Sequence, residues 1–260
     1  MTKFKNVRVP LRLSNIFQKK RRNMTFAVQV CCQVNDVLYF ILQTYLNDFS
    51  KHADKRIVEK IRYVWSSLPS QLSKENKKFL YAVVREGARA REYEEALLWL
   101  KDTGLISIVH RITKPAFPLS AYCDLSDFKI YALDVGLLRI MSGLSEQTII
   151  NGHAVFEEFK GALTEQYVLQ ELRTTFNDQI FYWTSGNSAE VEFVIPKATQ
   201  IIPMEVKASV NVHAKSLKVY EQKYSPLQML RLSLLTPGCH ANLIDWPLYL
   251  IFRLLEMKIS

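Results

Sequence analysis

Apolar residues between about residues 24 and 125 recur mainly at helical spacing. The clearest case runs from about Arg89 to Lys101, where an i, i+3, i+4, i+7 pattern is formed by Tyr93, Ala96, Leu97 and Leu100. Gly104 follows, and glycine readily adopts the left-handed conformation that ends helices. Two shorter helical patterns precede this segment, one ending before Pro69 and one before Gly87. We therefore predict three short helices, followed by a pair of strands that begins with Leu105–Ile112.

From about residue 126 onward, strand and helix patterns alternate. One helix is predicted from about Val155 to Thr174, and a second around Ser216 to Tyr224. The predicted strands are Ile180–Thr184, Glu190–Ile195, Ile201–Ala208 and two late strands near Leu230 and Leu248. This order predicts an α/β fold, α+β overall, because helices and strands are both present and are partly segregated along the chain.

These changes of pattern divide the chain into four predicted parts. Residues 1–23 form a basic arm that we expect to be disordered, and residues 255–260 form a tail. Residues 24–125 form a helical domain, and residues 126–254 form an α/β domain.

Three helices followed by a strand pair is the order of a winged-helix domain, which often places its third helix in the DNA major groove. The charges on the third predicted helix argue against that use. Its cations are accompanied by a similar number of acids, namely Glu92, Glu94, Glu95 and Asp102 beside Arg89, Arg91 and Lys101. We expect this winged-helix-like domain to serve mainly in packing or protein contact.

The formal net charge of +9 is concentrated at the amino-terminal end. Eight cations and no acid lie in the first 22 residues, at Lys3, Lys5, Arg8, Arg12, Lys19, Lys20, Arg21 and Arg22. The rest of the chain is close to neutral. Such an arm can bind nucleic acid through phosphates, or it can be a solvated tail, and the second interpretation is the simpler one.

Cysteine and histidine usage offers no recognisable metal site. The four cysteines form no C-x-x-C pair, and the five histidines are scattered, so no zinc ligand set can be written. No apolar run reaches the roughly 20 residues that cross a bilayer, and no signal peptide is recognisable. We expect a reduced, cytoplasmic chain without a membrane partner.

Charged residues on two predicted strands could carry chemistry. Glu190 and Glu192 point one way on their strand, whereas Glu205 and Lys207 point together on theirs. If these strands pair, the charges can converge, with Glu165 on the preceding helix as a further member. Carboxylates that hold Mg²⁺ and a lysine that positions water are the equipment of phosphodiester hydrolysis. The pattern alone is weak, because any half-exposed strand alternates in this way.

Several longer segments resemble bacterial ATP-binding proteins that carry domain of unknown function 4143. In the second half of the chain the resemblance is carried by Phe156–Val168, Phe181–Trp183, Ala189–Phe193 and Pro203–Ala208. In the first half it is carried by Asp48–Lys55, Gly87–Tyr93 and Lys129–Leu138. The resemblance as a whole extends over roughly residues 24–252. The resemblance implies a AAA-type ATPase core, a winged-helix-like segment and a nuclease-like domain of the restriction-endonuclease, or PD-(D/E)XK, class.

This chain departs from the family plan in its first part. The ATPase core should precede residue 24, yet no G-x-x-x-x-G-K-[ST] loop occurs among the eight glycines. Without those backbone amides and that lysine nothing recognisable holds a triphosphate, so we expect no ATP binding. Met24–Leu42 is similar to a shortened lid segment that joins the core to the winged helix. The Cys31–Cys32 pair and Phe40 would then lack their neighbours, as in a truncated gene product.

A second departure concerns the nuclease-like site. The family usually has aspartate where this chain has Glu192, and the extra methylene moves the carboxylate by about 1.5 Å. Because Mg²⁺ tolerates little deviation from octahedral geometry, we expect a charge network without catalysis, in a module that binds a protein partner or a second copy. The alternative is a Mg²⁺-dependent nuclease with Glu192 and Glu205 as metal ligands, Lys207 positioning water and Glu165 assisting. A second alternative is nucleic-acid binding through the basic arm.

Overall fold

A computed structural model describes residues 24–74, 77–150, 154–176, 179–186, 189–209 and 215–256. The basic arm and the last four residues lie outside these ranges. The α-helices are α1 Met24–His52, α2 Val58–Leu72, α3 Tyr81–Val84, α4 Ala90–Asp102, α5 Val135–Met141, α6 Glu146–Ile150, α7 Ala154–Phe176 and α8 Lys215–Tyr224. Two 3-10 helices span Leu119–Tyr122 and Leu248–Glu256.

The strands assemble into one mixed sheet, which confirms the α/β, α+β overall, fold class. They are β1 Ile106–Ile112, β2 Cys123–Ala132, β3 Phe181–Thr184, β4 Glu190–Lys197, β5 Gln200–Val206, β6 Met229–Ser233, β7 Gly238–His240 and β8 Leu243–Pro247. Their order across the sheet is β2-β1-β3-β4-β5-β6-β8-β7. The pairs β1/β3, β5/β6 and β6/β8 are parallel, whereas β1/β2, β3/β4, β4/β5 and β7/β8 are antiparallel.

The sheet is continuous across the predicted domain boundary. That boundary, between residues 125 and 126, falls inside β2, and β1 pairs with β3 of the second half. The predicted tail begins at residue 255, whereas the second 3-10 helix continues to Glu256. The division into domains stays a prediction.

The three predicted helices of the first half are present in the predicted order, but a longer helix that was not among them, α1, precedes them, and two further corrections apply. Pro69 does not end its helix, because α2 continues to Leu72, and the burial of Leu68 and Leu72 offsets the missing hydrogen bond of proline. The next helix is only four residues long and excludes Phe79, whose backbone N–H donates to Phe128 O at 2.7 Å. Pairing with β2 has therefore overridden the helical pattern at Phe79. Gly104 ends α4 with a φ of +76°, as predicted.

The late strands also differ from the prediction. β6 contains Leu230 as expected, but Leu248 begins a 3-10 helix and the last strand, β8, ends at Pro247. Strand β7 was not predicted, because three residues are too few to show a period.

Two apolar cores lie against the sheet. Phe193 and Ile195 belong to the larger core, which includes helices α2, α4 and α7, whereas Val194 belongs to the smaller core under α8. Because adjacent strand residues point to opposite faces, the two cores occupy opposite faces of the sheet. A third, small cluster joins Leu38 of α1 to Leu137 and Ile140 of α5.

The outer edge of β2 is capped by a side chain. The Gln166 amide on α7 accepts from Ala132 N–H at 2.9 Å and donates to Ala132 O at 2.7 Å. It therefore replaces the neighbouring strand that β2 lacks on this side. This contact places the middle of α7, including Glu165, beside the sheet.

Candidate functional site: a buried charge cluster

The predicted site residues come together where β4 and β5 separate. The last residue pair of this ladder is Phe193 with Met204, one residue before Glu205. Beyond it, the Val206 backbone N–H donates to Glu192 Oε2 at 3.3 Å. The Glu192 side chain therefore reaches from β4 to β5. Lys207 follows β5 directly and lies 2.8 Å from Glu205, measured from Nζ to Oε1.

A bulge in β4 positions Glu192. In the pairing of β3 with β4, Trp183 faces Val191 and Phe181 faces Val194. Tyr182 therefore lies opposite two residues, Glu192 and Phe193. Bulges re-aim side chains and are common beside functional sites. The alternating pattern shows no sign of this irregularity, because charged and apolar residues alternate without interruption from Glu190 to Phe193.

Two lysines that sequence reasoning missed complete the cluster. Lys77 lies two residues before Phe79, whose backbone N–H is bonded to β2. Lys77 forms an ion pair with Glu165 of α7. Lys129 of β2 is 0% exposed and forms an ion pair with Glu190 of β4. We call the seven residues Glu165, Glu190, Glu192, Glu205, Lys77, Lys129 and Lys207 the charge cluster. A signal for Lys129 existed, since it is the one charged residue in the otherwise apolar run from Phe128 to Ala132.

An aromatic ring lies beside the Lys129 ammonium. Its Nζ lies 4.7 Å from the centre of the Tyr182 ring, which is a cation–π distance. The Tyr182 hydroxyl in turn donates to Asp127, and Asp127 forms ion pairs of 3.0 Å with both Lys78 and Arg111. Lys129 therefore contacts a ring that is itself anchored by a second group of ion pairs.

Burial raises the pKa of Glu192 to about 8, and the negative charges of Glu165 and Glu205 act in the same direction. Lys207 and Lys129 only partly oppose this rise. Glu192 therefore carries a proton in much of the population at neutral pH.

The other members of the cluster with shifted pKa values remain charged. Burial acts to raise the pKa of Glu165, but the ammonium groups of Lys77 and Lys129 outweigh it and the pKa is lowered. Burial likewise acts to lower the pKa of Lys129, but Glu190 and Glu165 outweigh it and the pKa is raised. For Lys207 the same competition, against Glu192 and Glu205, raises the pKa.

The arrangement does not fit a divalent metal ion. In the part of the chain that the structure describes, no group of three or more histidine, cysteine, aspartate or glutamate side chains is placed to hold one. Lysine ammonium groups contact three of the four glutamates of the cluster. One atom remains open, because Glu205 Oε2 is buried and has no hydrogen-bond partner. Glu165, Glu190 and Glu205 each form an ion pair with a lysine of the cluster.

Other candidate residues lie apart from the cluster or outside the described ranges. The basic arm, residues 1–23, is not described, nor are the side chains of Cys31 and Cys32. Phe40, expected to lack neighbours, is 72% exposed. Within the described ranges, no helix combines the length and apolar character needed to span a membrane.

Comparisons with known proteins find two families, and both are described as domains of unknown function. Neither the curated proteins nor the solved structures include a significant match. The first family, DUF8612, matches residues 33–148, from α1 to α6. The second matches residues 160–242, a segment that contains every glutamate of the charge cluster and Lys207. The second family is DUF4143, a domain of unknown function, and it is the same domain that the sequence segments resemble.

Proposed function

We propose that this chain is a non-catalytic interaction module of a AAA-type ATPase-like protein, with a winged-helix-like segment and an inherited nuclease-like sheet. The observation that carries this proposal is the pairing of the cluster's carboxylates with lysines. Three ammonium groups face four carboxylates, and the remaining carboxylate, Glu192, holds a proton near neutral pH. The cluster is therefore close to electrically balanced without a metal ion.

Metal binding would have to overcome this balance. A divalent cation near Glu192 and Glu205 would lie close to Lys207 and would also be repelled by the buried Lys129. It would also have to displace the proton of Glu192. Both effects weaken metal affinity, and the second does so increasingly below about pH 8.

Helix α1 supports the interaction part of the proposal. One side of α1 packs on α5 through Leu38, whereas Val37 and Phe40 are 55% and 72% exposed. Exposed apolar residues close together on one element are typical of protein contact surfaces. The partner is then another protein or a second copy of the chain, and the proposal includes no ATP binding.

The proposal is tested by titrating Mg²⁺ and Mn²⁺ into the purified chain in a calorimeter at pH 7 and at pH 9. We expect no saturable binding at pH 7 for the wild type. The variants are Glu205→Ala and the matched control Glu94→Ala, which removes an exposed carboxylate from α4. Saturable binding at pH 7 that Glu205→Ala abolishes and Glu94→Ala retains would overturn the proposal.

A second candidate function is a metal-dependent nuclease, and the open Glu205 Oε2 atom favours it. A buried carboxylate oxygen without a partner is costly, and a bound cation would satisfy it. Cleavage of DNA that requires added metal and disappears in Lys207→Ala would establish this function. Since the donor groups do not fit a metal as they lie, we assign no catalytic steps.

A further inference from the structure

A cleft lies on the sheet face under α8, apart from the charge cluster. Its volume is about 290 Å³, close to the lower end of the range for ligand sites. Three segments form it: the loop after β1, the turn between β4 and β5, and the loop after α8. Its surface combines polar and apolar parts, and the apolar and aromatic side chains of its lining include Pro115, Phe117, Ile201, Tyr220, Pro226 and Leu227. We call this site the aromatic cleft.

The lining of the aromatic cleft is uncharged. No lysine, arginine, aspartate or glutamate is among its described lining residues, although Lys223 lies nearby, 5.3 Å from the Tyr224 ring centre. A charged ligand would lose part of its hydration here without a charged partner among the lining residues. The cleft therefore favours a neutral ligand.

Two polar groups of the cleft have unused hydrogen-bonding capacity. Gln200 Oε1 is buried and has no hydrogen-bond partner. The Tyr224 hydroxyl accepts from Trp183 Nε1 at 3.2 Å, and no hydrogen bond donated by this hydroxyl is found among the described residues. One group can thus accept and the other can donate, which is the complement of a peptide unit with its N–H and C=O. A small rotation of the glutamine amide, which is torsionally soft, would present it to a ligand.

We propose that the aromatic cleft binds an uncharged, proline-containing peptide segment of a partner protein in extended conformation. Proline-rich segments dock in aromatic-lined grooves because they are already extended and lose little entropy on binding. Phe117 and Leu227 line the cleft and are 49% and 73% exposed. The proline rings of such a segment can therefore pack against them. The inference rests on the proposed interaction function and specifies the chemical nature of the partner segment.

The test uses the neutral blocked peptide acetyl-Leu-Pro-Leu-amide as the probe. Nuclear magnetic resonance follows the indole N–H signal of Trp183, which is one of four tryptophans and is assigned by its loss in Trp183→Phe. We expect a saturable shift of this signal with a dissociation constant of about 1 mM or tighter. The same peptide with aspartate in place of the first leucine should bind at least about tenfold more weakly.

Two glutamine variants give the matched comparison. Gln200→Met removes the acceptor in the cleft, and we expect binding to weaken at least about fivefold. Gln228→Met removes another buried carbonyl oxygen without a partner, but Gln228 does not line the cleft, so binding should stay within about twofold of wild type. Neither oxygen has a partner in the fold, so both variants should remain folded.

The inference is overturned if the Trp183 signal does not shift saturably, or if both glutamine variants bind the peptide equally. Failure of the proposed function gives a different result, namely metal binding that depends on Glu205. The two outcomes are read from different residues by different methods.

Discussion

The charge cluster and the aromatic cleft differ in how far their buried polar groups are paired within the chain. In the charge cluster, ion pairs formed within the chain hold Lys129 and Glu165, which are among its most buried charged groups. In the aromatic cleft, the lining residues are uncharged and a buried oxygen of Gln200 has no hydrogen-bond partner. The cluster contains most of the residues that chemistry would need, yet it is the more self-contained of the two.

The difference shows that residue type alone does not identify a binding site. Glutamates and lysines attract attention because they can catalyse, but a carboxylate that already contacts an ammonium group has less to offer a ligand. A neutral amide in an uncharged cleft attracts less attention, yet it can gain a hydrogen bond when a ligand binds. Unsatisfied buried groups are therefore a second guide beside residue type, and they mark Glu205 Oε2 in the cluster as well as Gln200 Oε1 in the cleft.

The largest expected effect comes from removing the central cation of the charge cluster. Lys129→Met leaves Glu190 and the neighbouring Glu165 partly uncompensated in a buried environment. We expect the free energy of unfolding to fall by about 3–5 kcal/mol near pH 7.5, measured by urea denaturation.

An exposed lysine provides the control for Lys129. Lys51 also forms an ion pair, with Asp48 at 3.4 Å, but its side chain is 67% exposed. Lys51→Met should change the free energy of unfolding by no more than about 0.5 kcal/mol. Equal effects of the two variants would show that the cluster is not internally compensated.

A smaller effect, dependent on pH, is expected for Glu192. Its pKa is raised from 4.5 to about 8 in the folded chain, so the folded state binds one more proton than the unfolded state between these values. The stability that Glu192 contributes is therefore fully present below about pH 4.5 and is lost as the pH rises through about 8.

The matched variant Glu192→Gln should lack this dependence. Over the single pH unit from about 6 to 7, inside that window, the free energy of unfolding of the wild type should fall relative to the variant by about 1.4 kcal/mol. Urea denaturation at several pH values measures the difference, with Glu94→Gln on α4 as the control for losing one charge. A difference that does not change with pH would contradict the proton assigned to Glu192.

The smallest effect on stability is expected in the aromatic cleft. Gln200→Met removes an oxygen that has no partner in the fold, so the free energy of unfolding should change by less than about 0.5 kcal/mol or rise slightly. Thermal unfolding without peptide measures it. A loss above about 1 kcal/mol would show that Gln200 supports the fold itself and would remove the contrast with the charge cluster.

Much of the architecture could be predicted because it is local. The helix α4 with its Gly104 cap and the strands β3, β4 and β5 follow from periodicity and turn residues, which need only near neighbours in sequence. The pairing of β4 with β5, and hence the approach of Glu192 to Glu205, also followed from the short turn between them. The four predicted site residues therefore lie together in the structure, whereas their role in catalysis or metal binding stays a prediction.

The sequence by itself determined the order of the principal elements α2, α4, β1, α7, β3, β4 and β5, the candidate carboxylates and the absence of a recognisable phosphate-binding loop. Only the tertiary structure decided that Lys77 and Lys129 reach these carboxylates, that a bulge re-aims Glu192, and that Gln200 is buried without a partner. Lys77 and Glu165 are 88 positions apart, and Lys129 and Glu190 are 61 positions apart. Burial and charge compensation depend on such distant neighbours, and a local pattern carries no information about them.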